Sequence, residues 1–181
     1  MSLKELTKEN HARAEGTAFM KAVFDLSLPM ELWRDYTYQK QLWYKEIETK
    51  AVEMGLLTDL AGIERSELIK TDYQEMMKGR LGDYHTYRTI TKDYVSYIRN
   101  LRDANDVMAH LYTWHMGDLF GGQMIKKIIQ APSTHLDFEN SQDLMVNMRN
   151  LLTDDMADEA NRAFTWAIQI LETYDSDLEK S

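Results

Sequence analysis

The chain has 181 residues, 44% hydrophobic and 28% charged, which is enough for one domain with a substantial core. It contains no cysteine, so disulfides, thiolate zinc sites and iron–sulfur clusters are excluded, and any metal must be held by histidine or carboxylate. The net charge of −9 is concentrated at one end: residues 137–181 carry eleven acids and three bases, against nineteen and eighteen in residues 1–136, a balance that argues against nucleic-acid binding.

Leu, Met, Ala, Glu and Lys are plentiful, only two prolines occur, and no strand-like alternation is present, so the expected fold class is all-α. The first helix is expected over residues 2–25, with Ser2 as N-cap and Glu5 completing a capping box. Ser27-Leu28-Pro29 breaks it. A second helix follows over 29–54, with Pro29 in its first turn and Gly55 ending it. A third covers 64–78, punctuated afterwards by Gly79 and Gly82, and a fourth covers 84–102. The fifth, over 104–129, stops at Ala131-Pro132-Ser133. The last two cover 141–152 and 153–174, with Thr153 as the cap of the final helix. The expectation is seven helices in a single domain, 1–181. The polar first ten residues do not read as a signal peptide, and no apolar run approaches the ~18–20 residues of a membrane span, so a soluble, cytoplasmic chain is expected.

Two segments carry chemistry. In the first helix, His11, Ala14, Glu15, Ala18, Phe19 and Ala22 share one face. Three alanines make that face shallow. It suits either close packing on a neighbouring helix, with His11 at the surface, or a planar ligand. Glu15 stands one turn after His11, within reach of its Nδ1–H, where it would fix the tautomer and strengthen the other nitrogen as a metal ligand. The fifth helix holds Gly117, Gly121 and Gly122 within six residues. Each costs about 1 kcal/mol relative to alanine inside a helix. Either the helix ends in a turn at Gly121-Gly122, or the backbone bends and approaches a ligand closely. Asp118 lies among these glycines, placed to organise water rather than to bind metal.

Together these segments resemble the haem oxygenase family. LTKENHARAEGTAFM, from Leu6 to Met20, is similar to the family's region around the proximal histidine. AHLYTWHMGDLFGGQMIKK, from Ala109 to Lys127, closely resembles its distal-helix signature, including Tyr112, Gly117, Asp118, Gly121, Gly122 and Gln123. A weaker match is DEANRAFTWAIQILE, with Phe164 in a haem-wall position. The resemblance implies a single-domain multi-helix fold with haem between the first helix and a glycine-kinked distal helix. His11 would ligate the haem iron, with Glu15 as its partner. Gly117, Gly121 and Gly122 would crowd and tilt bound oxygen. Asp118 would hold water that delivers a proton, and Tyr112 would join the distal polar network. Lys4 and Arg149 would receive the haem propionates. Haem b would be substrate and cofactor together, cleaved with O2 to biliverdin IXα, carbon monoxide and ferrous iron. Electrons would come from a soluble donor such as ferredoxin, docking on the basic clusters Arg99/Arg102 and Lys126/Lys127. The family default is a monomer.

The chain departs from the family's pattern at Trp114, where a basic residue is expected, at Phe120, where a small polar residue is common, and at Ala167, which replaces an asparagine. These changes bear on which meso carbon is attacked. His85, His110, His115 and His135 match no ligand spacing, and Tyr36, Tyr38, Trp43 and Tyr44 read as aromatic core. A di-iron oxidase would need Glu-x-x-His pairs, and none occurs. A thiamine-degrading hydrolase of related fold would need a cysteine nucleophile. A haem-sequestering protein without turnover would use the same pocket, and aerobic reduction of the haem complex separates it from the enzyme.

Overall fold

The computed structural model describes residues 1–82 and 85–181 and is helical throughout, with no strand among the described residues. The start of the fourth expected helix, at residue 84, lies outside the described residues.

The first expected helix is three pieces: α1 (Leu3–Leu6), α2 (Lys8–Glu15) and α3 (Ala18–Phe24). The capping box forms as expected, with the Glu5 carboxylate accepting from Ser2 N at 2.7 Å and Ser2 Oγ accepting from Glu5 N at 3.4 Å. The chain then breaks at Gly16-Thr17, because Thr17 takes an extended backbone and caps α3 through its side chain. The break overturns the expected continuous face. Phe19 and Ala22 turn into the core and Ala18 faces solvent, while Met20 and Phe24 reach the cavity described below.

α4 (Met30–Glu53) is the longest element, and α5 (Ser66–Met77), α6 (Thr89–Arg99) and α7 (Ala104–Leu111) pack around it. Trp33, Tyr36, Trp43, Tyr44, Ile47 and Ala51 recur at helical spacing and form its buried stripe. The N-terminus of α5 is capped from a distance: the Glu48 carboxylate accepts from Arg65 N at 2.6 Å and Ser66 N at 3.1 Å.

The fifth expected helix keeps its course but is not uniform. After α7 comes a π-helical turn, Tyr112–Met116, then α8 (Gly117–Phe120) and α9 (Gly122–Ile128). Tyr44 stands beside the widened turn: its hydroxyl oxygen lies 3.0 Å from the Trp114 carbonyl oxygen, and its one proton is shared between that carbonyl and the nearer Asp118 Oδ2. The helix is thus irregular twice, at the π-helical turn before Gly117 and at Gly121 between α8 and α9.

A 3-10 turn, Thr134–Leu136, follows the proline break, then α10 (Ser141–Leu151). The final expected helix starts late: Asp154–Met156 is a 3-10 turn and α11 is Ala157–Glu172, so Thr153 does not cap it. α11 packs on α2 and α7 and completes one core. A short α12 (Asp175–Glu179) is fastened to α4 through Arg88, which bonds Asp35 at 2.6 Å and Asp177 at 3.3 Å.

Candidate active site

α2 has no buried residue, yet α11 packs against it, and a cavity of about 840 Å³ opens beside them. That volume lies in the usual range for small-molecule sites. Every residue expected in the site lines it: Lys4, His11, Glu15, Tyr112, Gly117, Asp118, Gly121, Gly122, Arg149 and Phe164.

His11 is half-exposed, its ring held edge-on by Phe164 with centroids 5.7 Å apart. Glu15 is one turn away as expected, but its carboxylate stands 3.6 Å from Nε2, not at Nδ1. That separation is longer than a hydrogen bond. Both side chains are wet, so water competes for them and the ring is not locked by Glu15.

Across the cavity, the widened turn delivers Asp118 into a buried polar cluster. Lys40 Nζ donates to Asp118 Oδ1 at 2.8 Å, and the Tyr44 hydroxyl donates to Oδ2 at 2.7 Å. Burial alone would raise the Asp118 carboxyl. The Lys40 charge and the bonds from Lys40 and Tyr44 outweigh burial, so it lies below the ordinary carboxylate value and is ionised at neutral pH. Asp118 is thus not the solitary carboxylate its sequence context implied. Tyr44, expected as plain aromatic core, is buried but spends its hydroxyl on Asp118 and Trp114.

Tyr112 does not join this cluster. It stands six residues before Asp118, at the start of the π-helical turn. Its hydroxyl instead meets Thr7 Oγ1 at 3.3 Å, at the junction of α1 and α2.

The three glycines differ in what they make room for. A Cβ at Gly117 would meet nothing within 4 Å and would stand in the cavity wall as extra bulk. One at Gly121 would lie 3.3 Å from the Gly117 carbonyl. One at Gly122 would lie 2.9 Å from Leu136 Cδ2, so Gly122 is needed for packing on the 3-10 turn and not only for a ligand. Gln123 secures the same contact by donating to the Leu136 carbonyl at 2.8 Å. We expect Gly117→Ala to raise the melting temperature of the ligand-free protein slightly, by helix propensity of about 1 kcal/mol or less. The same change should weaken ligand binding in the cavity. Gly122→Ala should gain nothing in stability, because overpacking against buried Leu136 cancels the propensity. Thermal melts with and without ligand check both, and unchanged affinity in Gly117→Ala would rule out a close backbone approach.

The departures from the family pattern all touch the pocket, since Trp114, Phe120 and Ala167 line it. The Trp114 indole donates to Tyr94 at 2.8 Å and packs on Trp43, so it fills space where a cation was expected. The other histidines have partners elsewhere. His110 bonds Tyr94 and Glu159, His115 bonds Glu48, and His85 bonds Tyr73. His135 does reach the cavity wall, but its two nitrogens face Asp72 and Lys40. Among the described residues, no group of three or more histidines or carboxylates is placed to hold a bare metal ion. The basic clusters are partly neutralised: Arg99 pairs with Glu46 at 3.1 Å and Lys126 pairs with Asp137.

Lys40, Tyr44 and His135 were not found as site residues from the sequence. The available signal was Lys40 itself, a lysine one turn before Tyr44 and between the aromatic residues Tyr36 and Trp43 of the buried stripe.

A helical protein with a histidine on one cavity wall and a glycine-rich helix on the other is a cofactor- or ligand-enclosing protein. The chain belongs to the heme oxygenase family, whose model matches residues 1–147. Heme oxygenase 2 of Macaca fascicularis is 28% identical over 96% of this chain, which spans 64% of that relative's length. The heme oxygenase of Guillardia theta is 26% identical over 87% of this chain and 68% of its own. The chain thus spans about two-thirds of the length of these curated relatives. Among solved structures, heme oxygenase-1 of Synechocystis in complex with heme superposes with a TM-score of 0.85 at 20% identity, covering 98% of this chain and 92% of that one. The enzyme of Leptospira interrogans gives 0.81 at 21% identity, covering 94% and 98%. At these identities the structural likeness establishes the fold. No helix among the described residues is long and apolar enough to cross a membrane.

Proposed function

We propose that the chain binds haem b in this cavity and cleaves it oxidatively to biliverdin IXα, carbon monoxide and ferrous iron. The observation that carries this reading is the pairing of walls: a reachable histidine on α2 faces a cavity shared with Gly117 and Asp118. The residues fit a haem. His11 is half-exposed, Phe164 offers an apolar ring beside it, and Gly117 leaves open space where any side chain would intrude. The exposed cations Lys4 and Arg149 line the cavity, where they suit the two propionates.

Haem supplies iron that binds and activates O2, and its porphyrin ring is the group oxidised. His11 would hold the iron, with Glu15 near enough to orient the imidazole once water is displaced. The backbone at Gly117 and Gly121 forms the cavity wall across from His11 and would limit the room left there for oxygen beside a bound porphyrin. Ionised Asp118 accepts hydrogen bonds from water and holds a proton source beside that face. Tyr112 fastens the start of the widened turn to the α1–α2 junction and keeps the two walls in register.

Electrons come from a soluble donor of the ferredoxin type, and the chain acts as a cytoplasmic monomer. Arg102 and Lys127, exposed beside the paired Arg99 and Lys126, are the cations that remain for an acidic donor.

The test is aerobic reduction of the haem complex. Loss of the Soret band with growth of biliverdin absorption is the expected result. Haem that persists under reductant and oxygen would show a haem-binding protein without turnover.

A further inference from the structure

The Asp118 carboxylate is held by a chain of buried polar groups that leads away from the cavity. Lys40 is almost fully buried on α4, and its ammonium lies 2.8 Å from Asp118 Oδ1. Its second partner is His135, whose Nε2 stands 3.4 Å from Lys40 Nζ. The tautomer of His135 is fixed from behind. Its Nδ1 lies 2.6 Å from Asp72 Oδ2, and Asp72 also accepts from His135 N and from Thr134 Oγ1 at 2.6 Å. Asp72 therefore accepts a hydrogen bond from Nδ1–H, which leaves Nε2 as an acceptor for the ammonium. Burial and the Lys40 charge hold His135 below the usual imidazole value, so it stays neutral at physiological pH. Burial would raise the Asp72 carboxyl, but its bonds from His135 and Thr134 keep it low and ionised.

A buried ammonium needs acceptors for its donors, and a buried carboxylate needs compensation for its charge. Lys40 and Asp118 meet both needs, and the histidine and second aspartate prevent the lysine from choosing another direction. We propose that Lys40 is the positioning residue of the cavity carboxylate. Clamped by His135 and Asp72, its ammonium bonds Asp118 directly and holds the carboxylate in one orientation at the cavity wall, where it can accept from water on the cavity side. The positive charge in contact with Asp118 comes from Lys40 on α4, since Trp114 supplies none.

The inference rests on the haem-cleaving reading only in its last step. The clamp is testable in the ligand-free protein, and the variants then connect it to turnover. The groups facing Asp118 are Lys40, Tyr36 and Tyr44 from α4, His135 from the 3-10 turn and, farther off, Arg65 ahead of α5. In wild-type protein labelled with 15N-lysine, one slowly exchanging ammonium resonance is expected at neutral pH. It should vanish in Lys40→Met and shift in Asp118→Asn. The Asp118 carboxyl carbon should titrate below the ordinary aspartate value of about 3.9 in wild type and clearly above it in Lys40→Met. Lys40→Met should lower biliverdin formation about 10- to 100-fold, with haem affinity little changed and the acid limb of the pH profile moved upward. His135→Leu should act in the same direction but less strongly. Absence of a protected lysine ammonium in wild type, or an Asp118 titration unmoved by Lys40→Met, would overturn the clamp whether or not the protein turns over haem. Wild-type turnover in a folded Lys40→Met with a displaced Asp118 titration would overturn its catalytic consequence. A wild type that binds haem without cleaving it would instead refute the functional reading.

Discussion

An Asp118→Ala variant is expected to bind haem with near wild-type affinity and to form almost no biliverdin, a loss of about 100-fold or more. Binding survives because His11, Phe164 and the cations near the cavity lie on other elements. Product is lost because the cavity no longer holds an ionised acceptor for water beside the glycine wall. Reducing equivalents and oxygen should still be consumed, so the ratio of biliverdin to oxygen consumed is the sensitive readout. Full biliverdin yield would remove Asp118 from the mechanism.

The same substitution has a structural cost. It leaves Lys40 buried without its counter-charge, and breaking a buried pair from one side costs about 3–5 kcal/mol. Asp118→Asn separates the two effects. Its amide oxygen can still accept from Lys40, so it should lose less stability than alanine yet still fail in turnover. The pH dependence has a definite sign. Asp118 has a lowered carboxyl in the folded state, so its stabilisation is present above the unfolded value of about 3.9 and is lost as pH falls through the lower folded value. The stability difference between wild type and Asp118→Ala should therefore be full at pH 7 and shrink below about pH 4. Chemical denaturation at the two pH values measures it.

What could be read from the sequence follows the range of the interactions. The capping box at Ser2 and Glu5 spans three residues, and it forms as expected. The cavity walls were legible through the family resemblance of the His11 and glycine segments; their spacing alone left each open between ordinary packing or a turn and a ligand. The break at Gly16-Thr17 was missed because the apolar spacing runs through it, although Thr17 is a good cap. The π-helical turn was missed because Tyr44, which stands beside it, comes from α4. The clamp on Asp118 is farther still from local reading. Lys40 lies 78 residues from Asp118 and 95 from His135 in the chain. No periodicity records such a pairing. Only Lys40, a lysine between Tyr36 and Trp43 on the buried stripe, hinted that something charged must face it. The position of Glu15 was read one atom wrong, since i, i+4 spacing fixes reach but not which ring nitrogen is met.

Replacement of His11 by alanine should have the largest effect on binding. The side chain is half-exposed and contributes little to the core, so the ligand-free variant should melt within about 0.5 kcal/mol of wild type. With haem present the two should part. A ligand at 100 times its dissociation constant stabilises the folded state by about 2.7 kcal/mol, and the variant should lose most of that shift. Residual binding would come from the apolar walls and the cations, but without the iron–imidazole bond, so the Soret spectrum should change in position and width. Added imidazole should restore it, because the alanine leaves a space of the right shape in a cavity already open to solvent. Glu15→Gln should bind haem and keep a histidine-type spectrum while turning over more slowly, since it touches only the orientation of the ring. An unchanged Soret spectrum in His11→Ala would move the ligand elsewhere. Among the described residues, the only other histidine on the cavity wall is His135, whose nitrogens face Asp72 and Lys40, so the clamp and an iron–His135 bond cannot both hold.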